Sequence, residues 1–346
     1  MKHTGFLLTI GCALVLSACG GGGGDPGNSN TGTGTGTSVS TPVQASTLSP
    51  ITPENAINVA ANAYAASTTF GDSSSFASDL LTGVSVTPAG TRPDVVTNVL
   101  GLTKRAFKGN APKLLTGVTI TEACAGGGTL VIDGTLRNPD TFSNGDTISI
   151  SASNCSEDGE VVNGGFSVTF SGVTGDLANS SIGAATLNTQ FRSFSVTSGG
   201  KTSIMNGDMK IAVTNTSATQ SKADVSGTSL QAIEQKAGTT LTTLTMANYN
   251  MYSSTNGLTK SNSATFSLTG NSTGLGKFGY SVRSLQAFVT TGIFPSSGAL
   301  VVNGATSSLT VTALSASSVR VDYSAKGDGV VTHTKTLSWL EFAGSY

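Results

Sequence analysis

From Gly117 onward the chain repeats with a period of two, and that repeat restricts the fold more than any other feature. Leu130, Ile132 and Leu136 alternate with polar or small residues, as do Ile148 and Ile150. Phe166, Val168 and Phe170 are offset against Ser167, Thr169 and Ser171. Met209, Ile211 and Val213 continue the pattern, followed by Ala264, Phe266 and Leu268 and by Phe278, Tyr280 and Val282. Leu309, Val311 and Ala313 come next, then Val319, Val321 and Tyr323. Side chains alternate between the two faces of a strand, so this pattern describes antiparallel strands with one apolar and one wet face.

Turn signals separate the runs: Asn144-Gly145-Asp146, Asn163-Gly164-Gly165, Ser198-Gly199-Gly200, Asn206-Gly207-Asp208, Asn256-Gly257 and Lys326-Gly327-Asp328-Gly329. The apolar set changes face at Arg192-Ser193 and at Ser284-Leu285, where bulges would let the sheet bend. The reading is about a dozen long strands joined by short hairpins. The absence of a fixed repeat argues against a solenoid. The expected fold is mainly β: a large antiparallel meander curled into a barrel or half-barrel, with one or two N-terminal helices. A transmembrane barrel is disfavoured, because aromatics are only 6% and cannot form two girdles.

The helices fall within 51–116. Thr52-Pro53-Glu54 reads as a helix start with Thr52 as cap, followed by Ile57, Ala60, Ala61 and Tyr64 at helical spacing. A second helical patch spans Asp94 to Lys108, with Val95, Val99, Leu102 and Ala106 on one face. Residues 72–82 carry no decisive pattern. The β domain occupies 117–346.

Charged residues make up 11% of the chain and the net charge is −1, so no basic surface invites nucleic acid or anionic lipid. One histidine follows the N-terminal segment, His333, on an alternating face with Val331, Leu337 and Trp339. It reads as a hydrogen-bonded residue at a core edge. No Gly-x-Ser-x-Gly elbow selects a serine for it to activate. The densest carboxylates are Asp133, Asp140, Asp146, Glu157, Asp158, Glu160 and Asp176, and most fall in turns, where Asp is ordinary. Asp322 and Asp328-Gly329 lack the oxygen ligands of a calcium loop. Gly126-Gly127-Gly128 precedes no helix and reads as a turn, not a phosphate cradle. These absences point to a noncatalytic protein without metal or cofactor. Cys124 and Cys155 are the expected disulfide, since no Cys-x-x-Cys or nearby histidine favours redox or metal chemistry.

The N-terminus carries an address. Lys2 precedes the apolar run Phe6 to Leu16, and Leu16-Ser17-Ala18-Cys19-Gly20 follows. This resembles the lipobox of bacterial lipoproteins. The resemblance implies a signal peptide over 1–18 and diacylation of Cys19 as the new N-terminus. Gly20, where an aspartate would signal inner-membrane retention, implies the outer membrane. An ordinary signal peptide is the competing reading. Residues 19–50 form a Gly/Thr/Ser linker too polar to offset its ordering entropy, with a typical reach of roughly 30 Å.

Cys124 to Cys155, with Asn144-Gly145-Asp146-Thr147 between, and the C-terminal Phe294-to-Gly304, Leu309-to-Leu314 and Thr336-to-Trp339 stretches resemble a group of uncharacterised proteobacterial lipoproteins. That likeness implies architecture and no activity. Two functions stay open. A carrier would hold a lipid or other apolar ligand against a face lined by Phe166, Phe170, Phe266, Phe278 and Trp339. An interaction or adhesion lipoprotein would pack that face solid and bind a protein or glycan partner at the surface.

Overall fold

The computed structural model describes residues 48–68, 117, 119–138, 141–157, 159–175, 183–217, 219–272 and 275–345. The signal segment, Cys19, most of the linker and the expected helix over 94–108 lie outside them. Fourteen antiparallel strands follow one another in chain order across one sheet. They are β1 (Ile120–Ala123), β2 (Thr129–Thr135), β3 (Thr147–Glu157), β4 (Glu160–Thr174), β5 (Gly183–Ser198), β6 (Lys201–Ser217) and β7 (Gln220–Lys236). The meander continues with β8 (Thr239–Asn256), β9 (Thr259–Ser272), β10 (Gly276–Thr290), β11 (Pro295–Asn303), β12 (Ser308–Ser315), β13 (Ser318–Ser324) and β14 (His333–Ser338). Among the described residues there are also two helices, α1 (Ala56–Thr68) and α2 (Trp339–Ala343). Among the described residues β1 pairs only with β2 and β14 only with β13, so the meander curls without closing.

Every residue of the period-two series is buried. They join one continuous core on a single face of the sheet. The opposite face carries Ser, Thr and Asn, as at Ser149, Ser151 and Ser153 of β3.

The sheet is bent along a row of register shifts. They fall between Ala152 and Cys155 in β3, Asn163 and Gly165 in β4, Phe191 and Phe194 in β5, and Gly207 and Lys210 in β6. The row continues between Ala247 and Asn250 in β8 and between Arg283 and Phe288 in β10. Cross-strand pairs place the shifts side by side: Ala152 opposite Gly164, Gly165 opposite Arg192, Phe191 opposite Gly207. Asn154, Ser193 and Asn248 take positive φ of 48°, 48° and 49° along it. Side chains cap backbone N–H groups at three of these distortions: Asn163 Oδ1 accepts from Asn154 N at 2.7 Å, Asn206 Oδ1 from Ser193 N at 2.7 Å, and Ser284 Oγ from Ala264 N at 2.9 Å.

Two expectations from sequence are corrected here. Asn163-Gly164-Gly165 and Asn206-Gly207-Asp208 are not hairpin turns; they lie inside β4 and β6 as bulge residues. The left-handed backbone that suits Asn-Gly to a tight turn suits a bulge equally. The expected bulges at Arg192-Ser193 and Ser284-Leu285 coincide with register shifts.

The hairpins alternate between two ends of the sheet. Ser49 enters at the end holding the β9–β10, β11–β12 and β13–β14 connections. Its N–H donates to Gly279 O and its carbonyl accepts from Ala305 N. Ile51 is buried, its N–H donating to Ser307 Oγ and its carbonyl accepting from Tyr323 Oη. α1 begins at Ala56, beyond the predicted Thr52 cap, with Val59 N donating to Asn55 O as its first turn closes. Thr52 N instead donates to Asn55 Oδ1. α1 then lies against β9, β11, β12 and β13, and its small buried residues Ala56, Ala60, Ala61 and Ala63 allow close approach to the sheet. At its far end Tyr64 meets Phe288, Trp339 and Phe342 with ring centroids 5.1, 5.1 and 5.9 Å away.

A test of the bend is Gly207→Ala. Gly207 has φ of 113°, and an added Cβ would lie 2.0 Å from Ser229 O. Unfolding in urea should show a loss of about 1–3 kcal/mol. Gly199→Asn, at a hairpin tip with φ of 56° and nothing within 4 Å, should cost far less.

Candidate functional site

The five aromatic residues expected to line a ligand face share the inner face but pack as separate groups. Phe166 meets Phe194 edge-on at 5.3 Å. Phe170 stacks on Phe142 at 4.2 Å. Phe278 stacks on Tyr280 at 5.6 Å, and Phe266 is buried in β9. Trp339 stacks on Phe294 at 5.9 Å and donates from Nε1 to Ser315 O at 2.9 Å. None of the five is more than 5% exposed. Two open surface grooves of about 270 and 240 Å³ lie elsewhere: one on the wet face beside Gly165, Ser149, Ser167 and Arg192, the other beside Pro53, Ile57, Tyr323 and His333. Phe166 borders the first groove, and the other four aromatics border neither.

His333 departs from its expected place. It is exposed at the start of β14 and stacks against Tyr323 with ring centroids 6.0 Å apart. Val331 is 51% exposed, and Trp339 belongs to α2, so the three do not share a core face. The reason is local. Ser338 caps α2 by accepting from Glu341 N, while the Glu341 carboxylate accepts from Ser338 N, a reciprocal box that ends β14 before Trp339.

Several described carboxylates accept from backbone N–H groups. Asp146 is fully buried and accepts from Arg137 N at 3.0 Å and Ser143 N at 2.7 Å. Asp133 accepts from Gly134 N. Asp322 pairs with Arg320 at 2.8 Å and accepts from Thr334 Oγ1, and Asp328 accepts from Ser324 Oγ and Val330 N. Glu157 and Glu160 are opposite each other at the β3–β4 hairpin. Asp140, Asp158 and Asp176 lie outside the described residues.

The most developed polar constellation sits on the bend and was not singled out from sequence. Asp208 accepts from Thr228 Oγ1 at 2.6 Å, Thr228 N at 2.8 Å and Ser229 N at 3.0 Å. Partial burial opposes its charge, but these three donors outweigh that and hold the carboxyl below its ordinary range. Tyr249 Oη, buried, donates to the Asp208 carbonyl across the space left by Gly227. Burial, helped by the Asp208 charge, pushes the Tyr249 hydroxyl well above its usual range, so it stays a donor. This arrangement clamps β6, β7 and β8 together.

Cys124 and Cys155 are disulfide-bonded with Cα atoms 5.3 Å apart, tying the end of β1 to β3. Glu157 lies within 4.8 Å of both sulfurs, which the disulfide removes as metal ligands. The Gly126-Gly127-Gly128 turn folds back on β3: Gly126 N donates to Ser156 O, and Ser156 N to Gly127 O.

Two outcomes follow. Replacing both Cys124 and Cys155 by Ser should lower stability by about 3–4 kcal/mol in urea, as expected for a loop of this size. Asp208 has a lowered folded pKa, so its stabilisation is present above the ordinary carboxylate value and lost as pH falls through the folded one. Melting temperatures of the wild type and of Asp208→Asn should therefore converge with acidification below about pH 4.

The chain matches no known protein family, no curated protein and no solved structure.

Proposed function

We propose that this is an exported lipoprotein held to the outer membrane through acylated Cys19, whose β domain acts without catalysis as an interaction module for a protein or glycan partner. The observation that carries this reading is the occupancy of the inner face. Phe166, Phe170, Phe266, Phe278 and Trp339 are spent on the protein's own core, packed against other side chains of the chain. A carrier needs a concavity whose apolar lining is free for ligand. What remains for recognition is the wet face, broad, rich in Ser, Thr and Asn, and close to neutral. The sparse acid–base inventory supports the noncatalytic part, since Asp146 and Asp208 already accept from backbone N–H groups.

Two mass measurements test it. Protein extracted from envelopes should begin at Cys19 and carry the added mass of acyl chains, and an unmodified Cys19 would refute the anchor. Native mass spectrometry of the chain from Gly20 to Tyr346 should give a bare mass two Daltons light for the disulfide. A co-purifying phospholipid or other apolar molecule would overturn the interaction module in favour of the carrier.

A further inference from the structure

Exposed aliphatic side chains concentrate at one end of the sheet, opposite the end where Ser49 enters. Leu258 sits on the β8–β9 turn, 87% exposed, and Ile293 on the β10–β11 turn, 88% exposed. Leu314 precedes the β12–β13 turn at 46%, and Leu340 opens α2 at 62%. A chain of contacts makes these four turns neighbours. Lys260, two residues after Leu258, pairs with Thr290, three before Ile293. Phe294, next to Ile293, stacks on Trp339, next to Leu340. Trp339 donates to Ser315 O, next to Leu314. The other exposed aliphatics are apart: Leu285 inside β10, Val330 and Val331 in the β13–β14 connection at the opposite end.

We propose that these turns, Leu258, Ile293, Leu314 and Leu340 together, insert shallowly into a lipid surface. Large exposed apolar groups gathered at one place mark a protein or membrane contact. Three features choose the bilayer. The Leu258 and Ile293 turns each present a single protruding aliphatic residue between uncharged neighbours, Asn256-Gly257-Leu258-Thr259 and Thr291-Gly292-Ile293, which makes separate convex tips, while Leu314 lies at the end of β12 and Leu340 in α2 beside them. The charge beside Leu340, Glu341, has its carboxylate held by Ser338 N and Oγ. The segment from Gly20 to Ser46 precedes the folded unit beginning at Thr47, and fully extended it spans roughly 90 Å. The longest strand, β8, has 18 residues, so the distal turns are roughly 60 Å from the entry end. Resting on the proposed anchor, a tether of that contour length starting from an acylated Cys19 is long enough for them to meet the same bilayer. With a net charge of −1 the contact should not depend on anionic lipid.

The test uses the chain from Gly20 to Tyr346, which carries neither signal segment nor acyl site, so its outcome is separate from the fate of Cys19. Flotation with neutral phosphatidylcholine vesicles should recover the protein at low and high salt alike. The triple variant Leu258→Ser, Ile293→Ser, Leu340→Ser should float about tenfold less, with its melting temperature kept. No flotation of the wild type, or equal flotation of both, overturns the proposal. So does a dimer dissolved by the same substitutions without vesicle binding, which would make the occupant a second copy. If the triple variant unfolds, Ile293→Trp in the otherwise intact chain decides. A blue shift and quenching by brominated lipid support insertion, and unchanged emission refutes it.

Discussion

The structure depends on one problem: among the described residues a sheet of fourteen strands has a single apolar face and no second sheet to bury it against. Burial of that face is the dominant favourable term, and a flat sheet would leave most of it wet. The solution is to bend. Register shifts on neighbouring strands line up, so each local kink adds to the next and the sheet curls around its own aromatic side chains. α1 covers the side formed by β9 and β11–β13, burying Ala56, Val59, Ala60, Ala61 and Ala63, mostly small side chains that let a helix lie close to the sheet.

The bend explains where the polar chemistry went. A bulge frees backbone N–H groups, and a buried or half-buried donor without a partner is costly. Asn163, Asn206, Asp208 and Ser284 answer that cost one strand at a time. The open ends of the sheet are treated similarly. β1 has four residues and β14 six, with Lys335 exposed on the latter, which discourages a further strand from pairing there.

Much of this was legible in the chain. The alternating series named the core residue by residue because a strand's side-chain period is two and nothing competes with it. Even the bends at Arg192-Ser193 and Ser284-Leu285 could be read, since a bulge shifts the phase of that alternation. Asn163-Gly164 and Asn206-Gly207 misled for a physical reason. Asn-Gly reports a left-handed backbone, and only pairing with a neighbouring strand decides whether that becomes a turn or a bulge. The capping box Ser338-x-x-Glu341 was available and ended β14, yet a continued alternation through Trp339 hid it. The Asp208–Thr228–Tyr249 clamp left no trace, because its members are 20 and 41 residues apart and no local rule joins them.

By itself, then, the sequence determined the class of fold, the buried face and the disulfide partners, because periodicity and cysteine count are local or global properties that need no coordinates. It also supplied the lipobox, whose reading rests on resemblance. Tertiary structure alone decided which side chains the aromatics of the inner face pack against, that exposed aliphatic residues gather at the end away from Ser49, and that His333 faces solvent. Those outcomes depend on which strands become neighbours and how far the sheet curls, and both are set by long-range pairing that a one-dimensional pattern does not contain.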